Sequence, residues 1–259
     1  MRLTVLGSAA SYAGPGQACA GHLVETSSTK VLFDCGHGVL ANLGKVTDPA
    51  SVDAIFVTHY HPDHYVDLYG LQSMLRYAPE GPRPAIDVHL PPGLEDRMMC
   101  LLSERGCGAL SDAFNFIVLK AGEPVVVGDI TITALPVDHT VESYALRAEA
   151  DGVLLAYTAD SRPGELVSAA VEGADFVLCE ATLPEQYAGM APHMTASEAG
   201  TLAREAGASQ LAMIHIWPTN DRAEQARAAS EAFGRPAHVA SELDSYEIVA
   251  SKRSSLEAV

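Results

Sequence analysis

The chain has 259 residues, 48% of them hydrophobic, and a formal net charge of −17. That length and apolar content suit one large α/β domain with a substantial core and exclude a disordered chain. The acidic balance argues against a long nucleic acid held across a wide surface, which calls for a basic face, and favours a small anionic or neutral substrate.

The first residues, Met1 to Gly7, read directly as a strand and lack the apolar core and cleavage site of a signal peptide. No apolar run approaches the roughly 18 residues needed to cross a bilayer, so no membrane partner is expected and cytoplasm is the expected compartment. The five cysteines are odd in number and form no CxxC, which fits reduced thiols, most of them buried.

Taken in order, 2–8 is a strand, followed by a Gly/Pro/Ser-rich loop through Gly16. Residues 20–26 and 30–34 form a hairpin, and a helix runs to about Leu43. After Asp48-Pro49-Ala50 comes the apolar, β-branched strand 53–57. Val66 to Tyr77 reads as a helix with Leu68, Leu71, Met74 and Leu75 on one side. A strand at 86–90 leads into a helix to about Glu104. Arg105 to Asp112, with Gly106 and Gly108, reads as a loop.

Strands follow at 114–119, 124–127 and 130–137, then a hairpin of 143–149 and 153–157 across an Asp-Gly turn. A helix at 164–171, a strand at 175–179 and a loop at 181–194 come next. Thr195 and Glu198 make a capping box that opens a helix to Ala206. A strand at 210–214, a helix at 221–232 and strands near 237–240 and 245–250 complete a single domain spanning 1–250. Residues 251–259 read as a polar tail.

Chemistry concentrates in Thr58-His59-Tyr60-His61-Pro62-Asp63-His64. Side chains two apart converge from extended or looped backbone but not from a helix, and Pro62 ends regular pairing. The stretch is a ligand-rich loop at the end of a strand, and imidazole with carboxylate suits Zn, Mn or Fe. Three further residues follow apolar strands directly: His139, Asp160 and His215. Strand ends on one rim of a sandwich can meet in space.

Together, HxHxDH followed by His, Asp and His resembles the metallo-β-lactamase superfamily. The resemblance covers almost the whole chain and implies an αβ/βα four-layer sandwich, an α/β fold. It implies that His59, His61 and His139 hold one divalent ion, that Asp63, His64 and His215 hold a second, and that Asp160 bridges them. Within the superfamily the chain is most similar to the ribonuclease Z-like phosphodiesterase branch. The carriers are Leu6-Gly7-Ser8, Phe33-Asp34-Cys35-Gly36, Glu180-Ala181-Thr182 and His193-Met194-Thr195. The resemblance implies a catalytic His193 oriented by Glu180.

Only a hairpin separates His139 from Asp160, so the RNA-holding arm of the tRNA-processing enzymes has no place. The chain is closer to armless relatives resembling bacterial cyclic-nucleotide phosphodiesterases. The expected activity is a two-metal hydrolase, with Zn as the expected metal and Mn or Fe as alternatives, acting on a small phosphodiester. Asp63 and His193, with Glu180, are the expected catalytic set. Tyr12, Tyr60, Tyr65, Tyr187, Met190 and Trp217 are the pocket candidates, either stacking a base or simply packing loops. The competing reading is a metallohydrolase of thioesters, lactones or polyketide-type carbonyl substrates. A metal-stabilised scaffold without activity would have lost ligands, and none is lost here. A homodimer stays open as the assembly.

Overall fold

The computed structural model describes residues 1–250; the expected polar tail lies outside the described residues. The chain opens with strands β1 (Arg2–Gly7), β2 (Gly21–Glu25) and β3 (Lys30–Phe33), then helix α1 (Val39–Val46) and strand β4 (Ala54–Phe56). Helix α2 (Leu68–Tyr77), strand β5 (Ile86–Leu90), helices α3 (Leu94–Met99) and α4 (Glu104–Ala113) and strand β6 (Phe114–Val118) complete the first half. The second half runs β7 (Pro124–Val127), β8 (Ile130–Val137), β9 (Ser143–Ala150), β10 (Val153–Tyr157), α5 (Glu165–Val171) and β11 (Phe176–Glu180). It ends with α6 (Ala196–Glu205), β12 (Gln210–Ile214), α7 (Arg222–Phe233), β13 (His238–Val239) and β14 (Ser245–Glu247).

Two seven-stranded sheets result, ordered β14-β1-β2-β3-β4-β5-β6 and β13-β12-β11-β10-β9-β8-β7. Each begins as an antiparallel meander and continues as parallel strands joined by helical crossovers. The central parallel strands β4 and β11 are buried on both faces, which is why 54–56 and 176–179 read as unbroken apolar runs. Phe33, Phe56, Leu146, Tyr157, Phe176 and Ile214 share one cluster between the sheets, and side chains of this size contribute roughly 1.5–3 kcal/mol each on burial.

The outer face of the first sheet packs on α1, α2, α3 and α4 through Leu43, Leu68, Leu71, Leu94 and Leu110. The outer face of the second packs on α5, α6 and α7 through Val167, Ala199, Ala203, Ala229 and Phe233. Helix, sheet, sheet, helix is the expected αβ/βα four-layer sandwich. Among the described residues no helix is long and apolar enough to cross a membrane.

Local chemistry explains the boundaries. Thr195 accepts from the Glu198 amide while the Glu198 carboxylate accepts from the Thr195 amide, the reciprocal cap expected for α6. Asp221 caps α7, and Gly234, at φ 76°, ends it.

One expectation fails. Residues 105–112 are helix, not loop: Ser103 caps α4 by accepting from the Gly106 amide, and Leu110 and Ala113 are buried. Gly106 and Gly108 read as breakers, yet packing of a helical face outweighs the roughly 1 kcal/mol that each glycine costs. The helix expected to continue to Glu104 therefore stops at Met99 and restarts at Glu104.

Candidate metal centre

The ends of six strands converge on one rim. Strand β3 delivers Asp34, β4 leads into His59–His64, β8 leads to His139, β10 to Asp160, β11 to Glu180 and β12 to His215. His59 and His64 are fully buried, and Asp160 and His215 are 2% exposed.

Two groups of donor atoms form. In the first, His61 Nδ1 lies 3.1 Å from His59 Nε2 and 3.3 Å from His139 Nε2. Asp160 Oδ2 lies 3.6 Å from His59 Nε2 and 3.8 Å from His139 Nε2. In the second, Asp63 Oδ2 lies 3.7 Å from His64 Nε2 and 3.3 Å from His215 Nε2. Asp160 Oδ1 lies 3.4 Å from His64 Nε2 and 3.3 Å from His215 Nε2. The one carboxylate thus turns a different oxygen to each group. A tetrahedral ion with bonds near 2.05 Å has ligand–ligand edges of about 3.3–3.4 Å, which these spacings match.

The histidines are set as ligands by what holds their other nitrogen. His64 Nδ1–H donates to Asp34 Oδ2 at 2.8 Å, and His59 Nδ1–H to Thr58 Oγ1 at 3.1 Å. His139 Nδ1–H donates to the Pro192 carbonyl at 3.1 Å, and His215 Nδ1–H to Thr182 Oγ1 at 2.8 Å. Each partner fixes the tautomer that leaves a lone pair on Nε2, facing the centre. His61 alone presents Nδ1.

The electrostatics fit a cation. Burial keeps His59, His61 and His139 below the usual histidine value, so they are neutral donors. Burial also opposes charge on Asp160, but His215 and His64 outweigh it and hold the carboxyl well below its usual range. His64 is the opposite case: the carboxylates of Asp160, Asp34 and Asp63 overcome its burial and push it well up. Three carboxylates around one buried imidazole call for positive charge, which a proton supplies weakly and a divalent ion strongly. Two fully buried atoms here, His64 Nε2 and Asp160 Oδ1, have no hydrogen-bond partner among the described residues. Both belong to the second group, where a metal ion would satisfy them.

Backbone strain gathers here. Ser11, Asp34, Ala159 and His215 have φ between 51° and 57°. Each adjoins or belongs to the site, and left-handed backbone at a non-glycine residue costs of order 1–3 kcal/mol unless its surroundings enforce it.

Beside both groups stands His193, its ring 5.0 Å from that of His139 and 5.6 Å from that of His215. His193 Nδ1–H donates to Glu180 Oε1 at 2.9 Å. Glu180 is buried and also accepts from the Ser161 amide, the Met194 amide and the Thr182 hydroxyl. Burial opposes charge on His193, but the hydrogen bond and charge of Glu180 prevail and push it up to about 9.

The aromatic candidates divide. Tyr65 is 7% exposed and packs in the hydrophobic cluster beneath α2, so it is core rather than pocket wall. Tyr60 packs partly against the same cluster with the Arg97 guanidinium 4.1 Å above its ring. Tyr12, next to the Ser11 amide that donates to Asp63 Oδ2 at 2.9 Å, is exposed. Tyr187 and Met190 are exposed on the segment before His193, where Met190 lines a groove with Arg162 and Pro192. Trp217 is half-buried two residues after His215. The orienting roles of Asp34, Thr58 and Thr182 are visible only in three dimensions. For Asp34 the sequence cues are its place directly after a buried strand and within Phe33-Asp34-Cys35-Gly36, and neither says that it orients His64.

Comparison with known proteins agrees with this geometry. Residues 29–216 match the beta-lactamase superfamily domain. An uncharacterized protein of Mycobacterium tuberculosis is 34% identical over 245 residues, covering 92% of this chain and 89% of that protein. The crystal structure of the metallo-beta-lactamase fold protein YhfI from Bacillus subtilis superposes with a TM-score of 0.85 at 26% identity, covering 95% of this chain and 99% of that one. Ribonuclease Z of Methanothermobacter thermautotrophicus is 26% identical over 271 residues, covering 85% of this chain and 87% of its own. The chain belongs to the beta-lactamase superfamily, with the metallo-β-lactamase fold, and its likeness to ribonuclease Z fits the ribonuclease Z-like branch.

Proposed function

We propose that the chain is a metal-dependent hydrolase acting on a small phosphodiester of the cyclic-nucleotide kind. The observation that carries this reading is the His193–Glu180 pair, a half-buried imidazole supported by a buried carboxylate and placed against both donor groups. His59, His61 and His139 with Asp160 Oδ2 would hold one divalent ion, and Asp63, His64 and His215 with Asp160 Oδ1 a second. The nitrogen-rich donor set favours Zn over Mn or Fe. Bound there, the ions would supply Lewis acidity and lower the pKa of a water toward neutrality.

The protein's own groups do the rest. Asp34, Thr58, Thr182 and the Pro192 carbonyl keep four imidazoles in the ligating tautomer. Glu180 holds His193 charged and oriented by Nδ1, which leaves Nε2–H to protonate a departing alkoxide. A phosphodiester has such a leaving oxygen; a thioester releases a thiolate that needs no such acid. The hairpin of β9 and β10 between His139 and Asp160 leaves no room for an RNA-holding arm, in keeping with a small substrate.

The test is a substrate panel on the zinc-loaded protein: 2′,3′- and 3′,5′-cyclic nucleotides, bis(p-nitrophenyl) phosphate and an acyl thioester. Turnover of phosphodiesters without thioester cleavage supports the proposal; thioester cleavage alone overturns it in favour of a carbonyl substrate.

A further inference from the structure

We propose that Glu242 is a positioning residue for the second donor group, Asp63, His64 and His215. This rests on the reading above that the group holds a metal ion.

Two of these three ligands are braced by one loop, 8–18. At its near end the Ile216 amide donates to the Ser8 carbonyl at 3.0 Å, and the Ala10 amide donates back to the Ile216 carbonyl at 3.1 Å. This short parallel bridge fixes the backbone directly after His215, which sits in left-handed conformation at φ 51°. At the loop's turn the Ser11 amide donates to Asp63 Oδ2 at 2.9 Å, the same oxygen that faces His64 and His215. Ser11 is itself left-handed, at φ 54°. Among the described residues, no hydrogen bond from this loop reaches His59, His61 or His139.

The loop is fastened at its neck. The Ser8 and Ala9 amides both donate to the Ala18 carbonyl at 3.0 Å. Glu242 then joins both sides of that neck: its Oε1 accepts from the Ser8 amide at 3.1 Å, the Ser8 hydroxyl at 3.1 Å and the Ala18 amide at 3.2 Å. Glu242 is itself held in a tight turn, with the Leu243 amide on the Val5 carbonyl at 2.7 Å and the Ser241 amide on Asp244 Oδ2 at 2.8 Å. One carboxylate oxygen therefore gathers three donors and sets the loop that positions Asp63 and His215. Its loss leaves the Ser8 hydroxyl and the Ala18 amide unpaired, with the Ser8 amide held by the Ala18 carbonyl alone, and frees the loop to shift while sparing the first group. Supporting groups behind metal ligands typically change affinity 10–100-fold.

The experiment titrates metal-free wild type, Glu242→Ala and Glu242→Gln with cobalt(II), following its absorbance and the metal bound per chain. The expected result is two ions per chain in wild type. In Glu242→Ala the first affinity stays within about twofold, and the second weakens about tenfold or more. Glu242→Gln, which keeps a carbonyl acceptor, restores most of it. An unchanged second affinity, or an equal fall at both sites, overturns the proposal. Binding of a single ion by wild type overturns both this inference and the two-metal reading, so the two failures are distinguishable. Should Glu242→Ala not fold, Ser8→Ala removes only the hydroxyl arm; a selective weakening of the second site by about threefold supports the role, and no selective change contradicts it.

Discussion

Asp34 holds His64 through a 2.8 Å hydrogen bond between two fully buried side chains. The same carboxylate accepts from the Thr58 amide, the Thr58 hydroxyl and the Tyr157 hydroxyl. It therefore ties β3 to the loop after β4 and to β10, across the two sheets. Asp34→Ala strands four buried donors, His64 Nδ1–H among them, each costing roughly 1–3 kcal/mol, and frees His64 to rotate. The expected outcome is a loss of about 3 kcal/mol or more in denaturant unfolding of the metal-free protein. Zinc affinity should also fall roughly 10–100-fold in a competition assay with a chromogenic chelator.

Gly36 is the second constraint on the metal loop. A Cβ there would run into the Asp63 carbonyl, with the Ala20 carbonyl oxygen 3.0 Å away. Both obstacles are backbone, so neither can swing aside. Gly36→Ala has to displace Asp63 or the segment carrying Asp34. Overpacking of this kind costs about 1–3 kcal/mol. We expect a lower melting temperature together with weaker metal binding. Full metal content at an unchanged melting temperature would contradict this contact.

The pH dependence follows from His193. Its value is raised to about 9, so its pairing with Glu180 stabilises the metal-free fold fully below the ordinary histidine value near 6.5. That contribution is lost as pH rises through about 9. Activity that needs the His193 proton declines over the alkaline limb of the kcat profile. Bound cations pull this limb down in pH, and Glu180 holds it up. Glu180→Gln removes the charge and leaves burial to dominate, so the limb moves to lower pH by about 1 unit or more. Profiles of kcat for the two proteins check the sign.

The metal loop was legible in the sequence because all its ligands sit within six residues, after a strand whose apolar run is unmistakable. His139, Asp160 and His215 were legible as residues that follow buried strands. Their meeting depends on the register of β8, β10 and β12, which no local pattern encodes. Asp34 and Glu242 were harder. Each acts on residues distant in the chain, Asp34 on His64 and Glu242 on Ser8, and an acidic residue after a strand is ordinarily solvated. Tyr65 read as a pocket residue because it flanks His64, yet the turn at 62–64 points it into the core under α2. The α4 helix was hidden by Gly106 and Gly108, whose low propensity is outweighed by packing against α2 and β6.

The role of His193 as proton donor is tested by turnover of bis(p-nitrophenyl) phosphate by zinc-loaded wild type and His193→Ala, with zinc content determined on the same samples. Both proteins are expected to hold equal zinc, with a kcat lower by roughly 10²–10⁴-fold in His193→Ala, the usual worth of a positioned acid. Equal zinc with equal kcat would contradict that role.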